Sequence, residues 1–236
     1  MQPSGPNSGP GSRSMQTKLR SQSDRPPAPR TAPSDADVVR NVVGGLVGGA
    51  LWISFAVVHV MAFRHSGRVV GAGLAATELI TAILFLARRN PIVSTTRVTD
   101  WVVALVGSFG SLLARPGGGH SATGDVVGLS LQVAGLAVVA VVLLRLGRSF
   151  GIVAANRGIV TSGPYRVVRH PLYSAYIVVQ IGYLLQSVRT WNVVLFGLVW
   201  ACQVSRIVAE ERVLSMDPAY EAYRRSTSYR LIPGVW

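Results

Sequence analysis

Six apolar segments, separated by short polar breaks, constrain the fold of this chain more than any other feature. They cover about residues 42–63, 69–87, 99–114, 126–146, 172–188 and 191–209. A helix needs about 20 mostly apolar residues to cross a bilayer, and the third segment is the shortest of the six. Only 14% of the residues are charged, against about 25% in typical soluble domains. The pattern therefore predicts an all-α, polytopic integral membrane bundle with about six transmembrane helices.

The positions of the basic residues predict how these helices are oriented. Cytoplasmic loops of membrane proteins carry the excess of Lys and Arg. If the N-terminus is cytoplasmic and all six segments cross, the cytoplasmic regions hold all of the 23 basic residues except Arg64, Arg68, Arg115 and Arg189. If the third segment did not cross, the basic loops of the two halves of the chain would lie on opposite sides of the membrane. We therefore expect a multi-pass protein of the cell membrane with six crossings and both termini in the cytoplasm.

The basic residues also bear on the partners of the chain. The formal net charge is +13, but nucleic-acid binding needs basic residues gathered on one water-facing surface. Here they lie in short runs between apolar segments, so membrane lipid is an expected partner and nucleic acid is not. The oligomeric state is open.

Composition divides the chain into three regions. Residues 1–40 are rich in Pro, Ser, Gly and Arg with hardly any apolar residue before Val38, which predicts a disordered tail. Residues 41–124 hold the first three helices, where the sequence GGLVGG at 44–49 allows close helix packing. Residues 125–236 form the remaining core. Its last part has a cap at Asp217 and Pro218, which predicts a C-terminal amphipathic helix at the cytoplasmic surface, with Glu221 and Arg225 on one face.

A polar stretch, SGPYRVVRHPLYSAY at residues 162–176, precedes the fifth apolar segment. One interpretation is purely structural, because Pro171 favours a helix start and the residue before it avoids helical dihedrals. On this interpretation Arg166 and Arg169 only anchor the helix at the cytoplasmic side. The other interpretation is a binding site, and it depends on a second polar cluster.

That second cluster is the pair Glu210 and Glu211 at the end of the sixth segment. Two adjacent carboxylates at a membrane boundary are unfavourable unless cations meet them. Arg206 lies one turn before Glu210 and can pair with it, whereas Glu211 must face elsewhere because adjacent helix positions diverge by about 100°. The topology places both clusters at one cytoplasmic rim. A ligand with both signs of charge and an aromatic part would fit there.

Four sequences in this order carry a family resemblance: LGRSFGI at 146–152, GPYRVVRHPLYSAY at 163–176, EERVL at 210–214 and YEAYRRSTSYRLIP at 220–233. Together they resemble the C-terminal half of the isoprenylcysteine carboxyl methyltransferase family, which is grouped with the membrane phospholipid N-methyltransferases. The resemblance covers about residues 140–236 and leaves the first helices unassigned.

The resemblance implies that S-adenosyl-L-methionine binds at the cytoplasmic ends of the last helices. The matching cofactor-binding residues are Tyr165, Arg169, His170, Pro171, Tyr173, Glu210 and Glu211. Arg169 or His170 would meet the carboxylate of the cofactor, and a glutamate its amino group and ribose hydroxyls. The catalytic candidates are Arg206, Glu210 and Glu211. Arg206, or Arg212, would orient an acceptor carboxylate, and a glutamate would act as base for other acceptors.

The expected reaction is methyl ester formation on a lipophilic small molecule. N- or S-methylation of a lipid amine or thiol is an alternative within the same chemistry. A membrane reductase of the sterol-reductase type, which uses NADPH, resembles the same half of the chain, although the phosphate of that cofactor disfavours a site with two glutamates. A non-catalytic scaffold or transporter is the remaining alternative, but the polar residues gather at one rim rather than at mid-membrane.

A few polar residues fall inside the apolar segments. Glu78 is a lone intramembrane carboxylate, which is either functional or hydrogen-bonded to a neighbouring helix. His59 and His65 have no second set of ligands beside them, and Cys202 lies in an apolar run where it packs as a small hydrophobic residue. We therefore expect no metal site.

The topology can be tested with reporter fusions. A cytoplasm-specific reporter fused after Trp236 should be active, as should one inserted between residues 88 and 97, because both positions carry the basic excess. The same reporter inserted between residues 115 and 120 should be silent. Activity of a C-terminal reporter only outside the cell would contradict the predicted orientation.

Overall fold

The structure is a computed structural model that describes residues 35–118 and 121–236. This part of the chain is built mainly from α-helices, which are α1 (Asp35–Ser66), α2 (Val69–Ala87), α3 (Val98–Phe109), α4 (Ala122–Leu146), α5 (Pro171–Gln186), α6 (Thr190–Leu214) and α7 (Pro218–Ser226). Short 3-10 helices follow α3 and α4 and precede α5, at Gly110–Leu113, Gly147–Ser149 and Gly163–Arg166.

Each of the six predicted apolar segments corresponds to one of the helices α1 to α6. The boundaries agree within a few residues except at α1, which begins at Asp35 and so includes the last residues of the predicted disordered tail. The rest of that tail lies outside the described residues. Four helical stretches, namely Asn41–Ser66, Val69–Ala87, Ala122–Ser149 and Thr190–Leu214, are long and apolar enough to cross a membrane. The helix Val98–Leu113 is shorter, and α5 has 16 residues, so six crossings stay a prediction.

The outer surface of the bundle is apolar, as a lipid-facing surface must be. Large apolar side chains on several helices are more than 60% exposed, among them Val47, Met61, Val126, Leu144 and Val194. Soluble monomers rarely expose contiguous apolar patches of this kind. The protein is therefore an integral membrane protein, and its apolar outer surface faces the lipid chains.

Glycines allow two helix pairs to approach closely. A Cβ atom on Gly48 of α1 would lie 2.3 Å from Phe85 Cδ1 of α2, so the GGLVGG segment packs closely as expected. In the second pair, α4 and α5, a Cβ on Gly128 would lie 2.5 Å from the carbonyl oxygen of Gly182, and a Cβ on Gly182 would lie 2.6 Å from that of Gly128. Small residues at membrane helix interfaces bring backbones together in this way.

A two-stranded antiparallel ladder is the one departure from the all-α prediction in the described residues. Strand β1 (Val93–Ser94) follows α2, strand β2 (Ala155–Asn156) follows α4, and Val93 pairs with Asn156. The backbone N–H of Arg89 also donates to the Arg148 carbonyl at 2.8 Å. These bonds hold the end of α2 beside the end of α4. We call this end of the bundle, where α2, α4 and α6 end and α5 begins, the rim.

The C-terminal helix α7 begins as the sequence predicts. The Asp217 carboxylate accepts a bond from the Ala219 N–H at 3.0 Å, and Pro218 is the first helical residue. Tyr220 and Tyr223 are buried on one face. Glu221 and Arg225 share a face of α7 by their four-residue spacing, and the ion pair of Glu221 is with Arg224 at 3.3 Å.

The close contact of α4 with α5 makes a testable prediction. We expect Gly182→Ala to destabilise the protein by about 1–3 kcal/mol, since a Cβ there meets backbone that cannot move aside. The control is Gly197→Ala in α6, where a Cβ would meet nothing within 4 Å and the higher helix propensity of Ala adds up to about 1 kcal/mol. Thermal unfolding in detergent measures both. Equal midpoints for the two variants would contradict the packing.

Candidate active site

The Glu211 carboxylate lies at the centre of an ionic cluster at the rim. Its Oε1 accepts from Arg169 Nε at 2.9 Å and lies 3.2 Å from His170 Nε2. Its Oε2 accepts from Arg230 Nε at 2.9 Å and lies 2.8 Å from Arg230 Nη2. Glu211 is 6% exposed, and a buried carboxylate needs such partners. Three parts of the chain therefore meet at one side chain: α6, the start of α5 and the C-terminal segment.

Backbone hydrogen bonds fix the C-terminal segment on the same motif. The N–H groups of Arg169 and His170 donate to the carbonyls of Tyr229 and Arg230, each at 2.9 Å. The Arg169 Nη1 donates to the carbonyls of Thr227 and Ser228 at 2.9 and 3.0 Å. The N–H groups before Pro171 precede the helix and need partners outside it, and the C-terminal carbonyls supply them.

Glu210 faces the other way, towards a cavity. It accepts a hydrogen bond from the Tyr173 hydroxyl, and its Oε2 lies 3.7 Å from His170 Nδ1. The expected divergence of the two adjacent glutamates is thus observed: Glu210 lines the cavity, whereas Glu211 is absent from its lining among the described residues.

The cavity has a volume of about 500 Å³ and extends from the rim into the bundle. Ser149, Phe150, Gly151 and Ile152 of the LGRSFGI stretch belong to its wall. The structure brings together in the same wall most of the site residues that the sequence suggested, namely Tyr165, Arg169, His170, Tyr173, Arg206 and Glu210. Pro171 begins α5 and is buried beside this wall rather than part of it.

Arg206 lines the cavity, but its bonds differ from the expected pair with Glu210. Its Nη1 donates to Ser108 Oγ at 3.0 Å and its Nη2 to the Ile152 carbonyl at 2.8 Å. The guanidinium carbon also lies 5.2 Å from the centre of the Tyr173 ring, within the range of a cation–π interaction. Arg212, the other candidate for an acceptor carboxylate, pairs with Asp100 at 3.3 Å and lies outside the described cavity wall.

Arg157 is a cavity residue that the sequence analysis did not identify. Within the described residues its guanidinium makes no hydrogen bond or ion pair, and a Cβ on Gly151 would lie 2.4 Å from its Nη1. Gly151 therefore leaves the space that Arg157 occupies. Burial, and next the repulsion of Arg88, lower the pKa of Arg157 to about 10, while Glu210 opposes the shift. Arg157 stays charged at neutral pH and forms no ion pair with any residue that the structure describes.

Buried polar atoms without partners gather at the same cavity. Six such side-chain atoms occur in the described residues, and all but Arg88 Nε belong to residues of the cavity wall: Trp52 Nε1, Arg157 Nε, Gln203 Oε1, Arg206 Nε and the Tyr220 hydroxyl. Burial, and next the charge of Glu211, raise the pKa of Tyr220. Native proteins leave few buried polar groups unsatisfied. The gathering of unpaired polar atoms at one cavity is therefore typical of a site that binds a polar ligand.

The sequence of the core matches a known protein family. Residues 127–216 match the model of the Isoprenylcysteine carboxyl methyltransferase (ICMT) family. The core is therefore similar to the ICMT family. The match includes most of α4, all of α5 and α6, and the rim residues from Arg157 to Glu211, which confirms the resemblance seen in the sequence. The ICMT-like match begins after α1, α2 and α3. No curated protein matches the chain.

The two glutamates of the ICMT-like rim should respond differently to the same substitution. Glu211→Gln removes the charge that meets the buried Arg169 and the partly exposed Arg230, so we expect a loss of about 3–5 kcal/mol in the free energy of unfolding. Glu210→Gln keeps an oxygen that accepts from Tyr173 and should change it by less than about 1 kcal/mol. Thermal unfolding in detergent compares the variants. A larger loss for Glu210→Gln would contradict the arrangement.

Proposed function

We propose that the protein transfers the methyl group of S-adenosyl-L-methionine to the carboxylate of a lipophilic small molecule, forming a methyl ester at the cytoplasmic rim of the membrane. One observation carries this proposal. An unpaired guanidinium, Arg157, and a carboxylate, Glu210, line the polar end of one cavity in an ICMT-like core. An amphiphile entering from the bilayer would reach that cavity with its charged head at the rim.

The charges of the rim suit the amino-acid part of the cofactor. An α-amino acid group carries one cation and one anion, and Glu210 and Arg157 present the complementary charges. Tyr165 and Tyr173 offer aromatic faces for the sulfonium. S-adenosyl-L-methionine, when bound, supplies a methyl group on an activated sulfur. Arg169, His170 and Pro171 set the position of this wall, and Glu211 holds them there as a positioning residue.

Arg206 is the residue we assign to the acceptor carboxylate. It lies one turn deeper in α6 than Glu210, its Nε is unpaired, and Ser108 and Ile152 fix its guanidinium. A free carboxyl group has a pKa of about 3.5. It is therefore ionised at neutral pH and needs no base to remove a proton before it accepts the methyl group. The chain then has only to align the acceptor and exclude water. An amine or thiol acceptor would instead use Glu210 as base.

Ligand binding tests the cofactor. S-adenosylhomocysteine should raise the thermal midpoint of the purified protein and NADPH should not. Arg157→Gln should weaken S-adenosylhomocysteine binding about tenfold or more, the effect of a lost charged hydrogen bond. The control is Arg212→Gln, which changes an arginine outside the cavity wall and should bind like the parent. Stabilisation by NADPH alone would favour the reductase alternative.

Product chemistry tests the acceptor. Membranes that contain the protein are incubated with methyl-labelled S-adenosyl-L-methionine, and the lipid fraction is treated with mild alkali. Methyl esters release volatile methanol, whereas N-methyl and S-methyl products retain the label. Volatile label that disappears in the Arg206→Gln variant is the expected result. Alkali-stable label would reject the ester and keep methyl transfer.

A further inference from the structure

The deep end of the cavity contains an ion pair that the proposed methyl transfer does not use. Glu78 of α2 meets His59 of α1, with 2.9 Å between Oε2 and Nδ1, so the expected link of Glu78 to a neighbouring helix is present. Both residues line the cavity and Glu78 is 7% exposed. Within the described residues the second oxygen, Oε1, has no hydrogen bond. A charged side chain at mid-helix in a membrane protein is a candidate functional group.

Gln203 of α6 provides a second, independent observation. It is 2% exposed, it lines the cavity, and its Oε1 is a buried oxygen with no partner in the described part of the chain. Gln180 of α5 lines the same cavity, but its Nε2 donates to Ser111 Oγ at 3.0 Å and its Oε1 accepts from Trp200 Nε1 at 2.6 Å. The fold thus satisfies one buried glutamine completely and leaves the other unsatisfied.

The two unsatisfied oxygens lie at similar depths below the rim. Gln203 is seven residues before Glu210 in α6, which places it about 10 Å deeper on the same helix face and about 5 Å deeper than Arg206. Glu78 is nine residues before Ala87, the rim end of α2, a distance of about 13 Å along the axis. Gln203 is therefore below the acceptor head that we assign to Arg206, and Glu78 lines the same cavity from the middle of α2.

We propose that this deep end is a second recognition site on the acceptor, and that it binds a hydrogen-bond donor, a hydroxyl or an amine, carried partway along the lipophilic chain. The inference rests on the proposed function only for the position of the carboxylate head. A plain hydrocarbon chain would leave the Glu78 and Gln203 oxygens unsatisfied, and each such loss costs about 1–3 kcal/mol. The preferred acceptor class is thus a bifunctional amphiphile, with a carboxylate at one end and a donor group inside the bilayer.

The test uses octadecanoic acid as the reference probe. The substituted probes are hydroxyoctadecanoic and aminooctadecanoic acids that carry the hydroxyl or amino group at successive positions of the chain. Binding to the full-length detergent-solubilised protein is measured by calorimetry, with and without S-adenosylhomocysteine. We expect one narrow range of positions at which the hydroxyl or amino probe binds about tenfold tighter than octadecanoic acid, equivalent to about 1.4 kcal/mol. A preference for the hydroxyl or for the amine identifies the donor.

Two variants locate the preference. We expect both Gln203→Leu and the double variant His59→Leu with Glu78→Leu to lose this preference. In each of them the affinity for the best substituted probe, divided by the affinity for octadecanoic acid, should fall towards one. Replacing both partners of a buried pair is tolerated better than replacing one, and the helical circular dichroism spectrum verifies folding. Gln180→Leu is the matched control: it should keep the probe preference but lower the thermal midpoint, because it leaves Ser111 and Trp200 without their partner.

Equal affinity for octadecanoic acid and all the substituted probes, including no binding of any of them, overturns the inference. So does a preference that survives both deep variants. S-adenosylhomocysteine binding reports on the proposed function separately. A protein that prefers the donor-bearing probe but ignores S-adenosylhomocysteine keeps the deep site and loses the methyltransferase proposal.

Discussion

The contact of one buried carboxylate with cations from two other parts of the chain underlies the whole rim. Glu211 bonds Arg169, His170 and Arg230, and so joins the end of α6 to the start of α5 and to the C-terminal segment. The arrangement also explains the sequence around Pro171. Pro171 has no N–H group of its own at the first position of α5. The N–H groups of the two residues before it donate to carbonyls of the C-terminal segment.

The geometry of a helix then separates two functions that the sequence places side by side. Since adjacent positions diverge by about 100°, Glu211 is directed into the ionic cluster and Glu210 into the cavity. Within the cavity wall, Tyr173 joins Glu210 to Arg206, because it donates to Glu210 and lies under the Arg206 guanidinium. The rigid cluster fixes one wall of the cavity, and the groups of that wall stay open to a ligand. Catalysis by alignment needs such a fixed wall.

The sequence predicted the helices well and the site in part, for physical reasons. Apolar length and the breaks between segments define membrane helices independently of partners, so α1 to α6 were found. The grouping of the rim residues around one cavity was expected because several charged groups at one membrane boundary need partners, and their function stays a prediction. Arg157 was not found, since its isolation depends on where a loop folds and on the absent side chain of Gly151. The bonds of Arg206 to Ser108 and Ile152 were equally unpredictable, because they join residues distant in the chain.

The polar groups of the first helices bear on why the chain extends beyond its ICMT-like core. The family match begins at residue 127, yet Trp52, His59 and Glu78 supply part of the cavity wall. A charged or polar group inside a membrane segment is costly unless it is paired or used. Among the described residues, His59 pairs with only one oxygen of Glu78 and the Trp52 Nε1 has no partner. If these helices served only to span the bilayer, apolar residues would be more stable at all three positions. Under the proposed function, the ICMT-like core carries the groups assigned to the methyl donor, and the preceding helices carry polar groups whose remaining hydrogen bonds an acceptor in the cavity would complete.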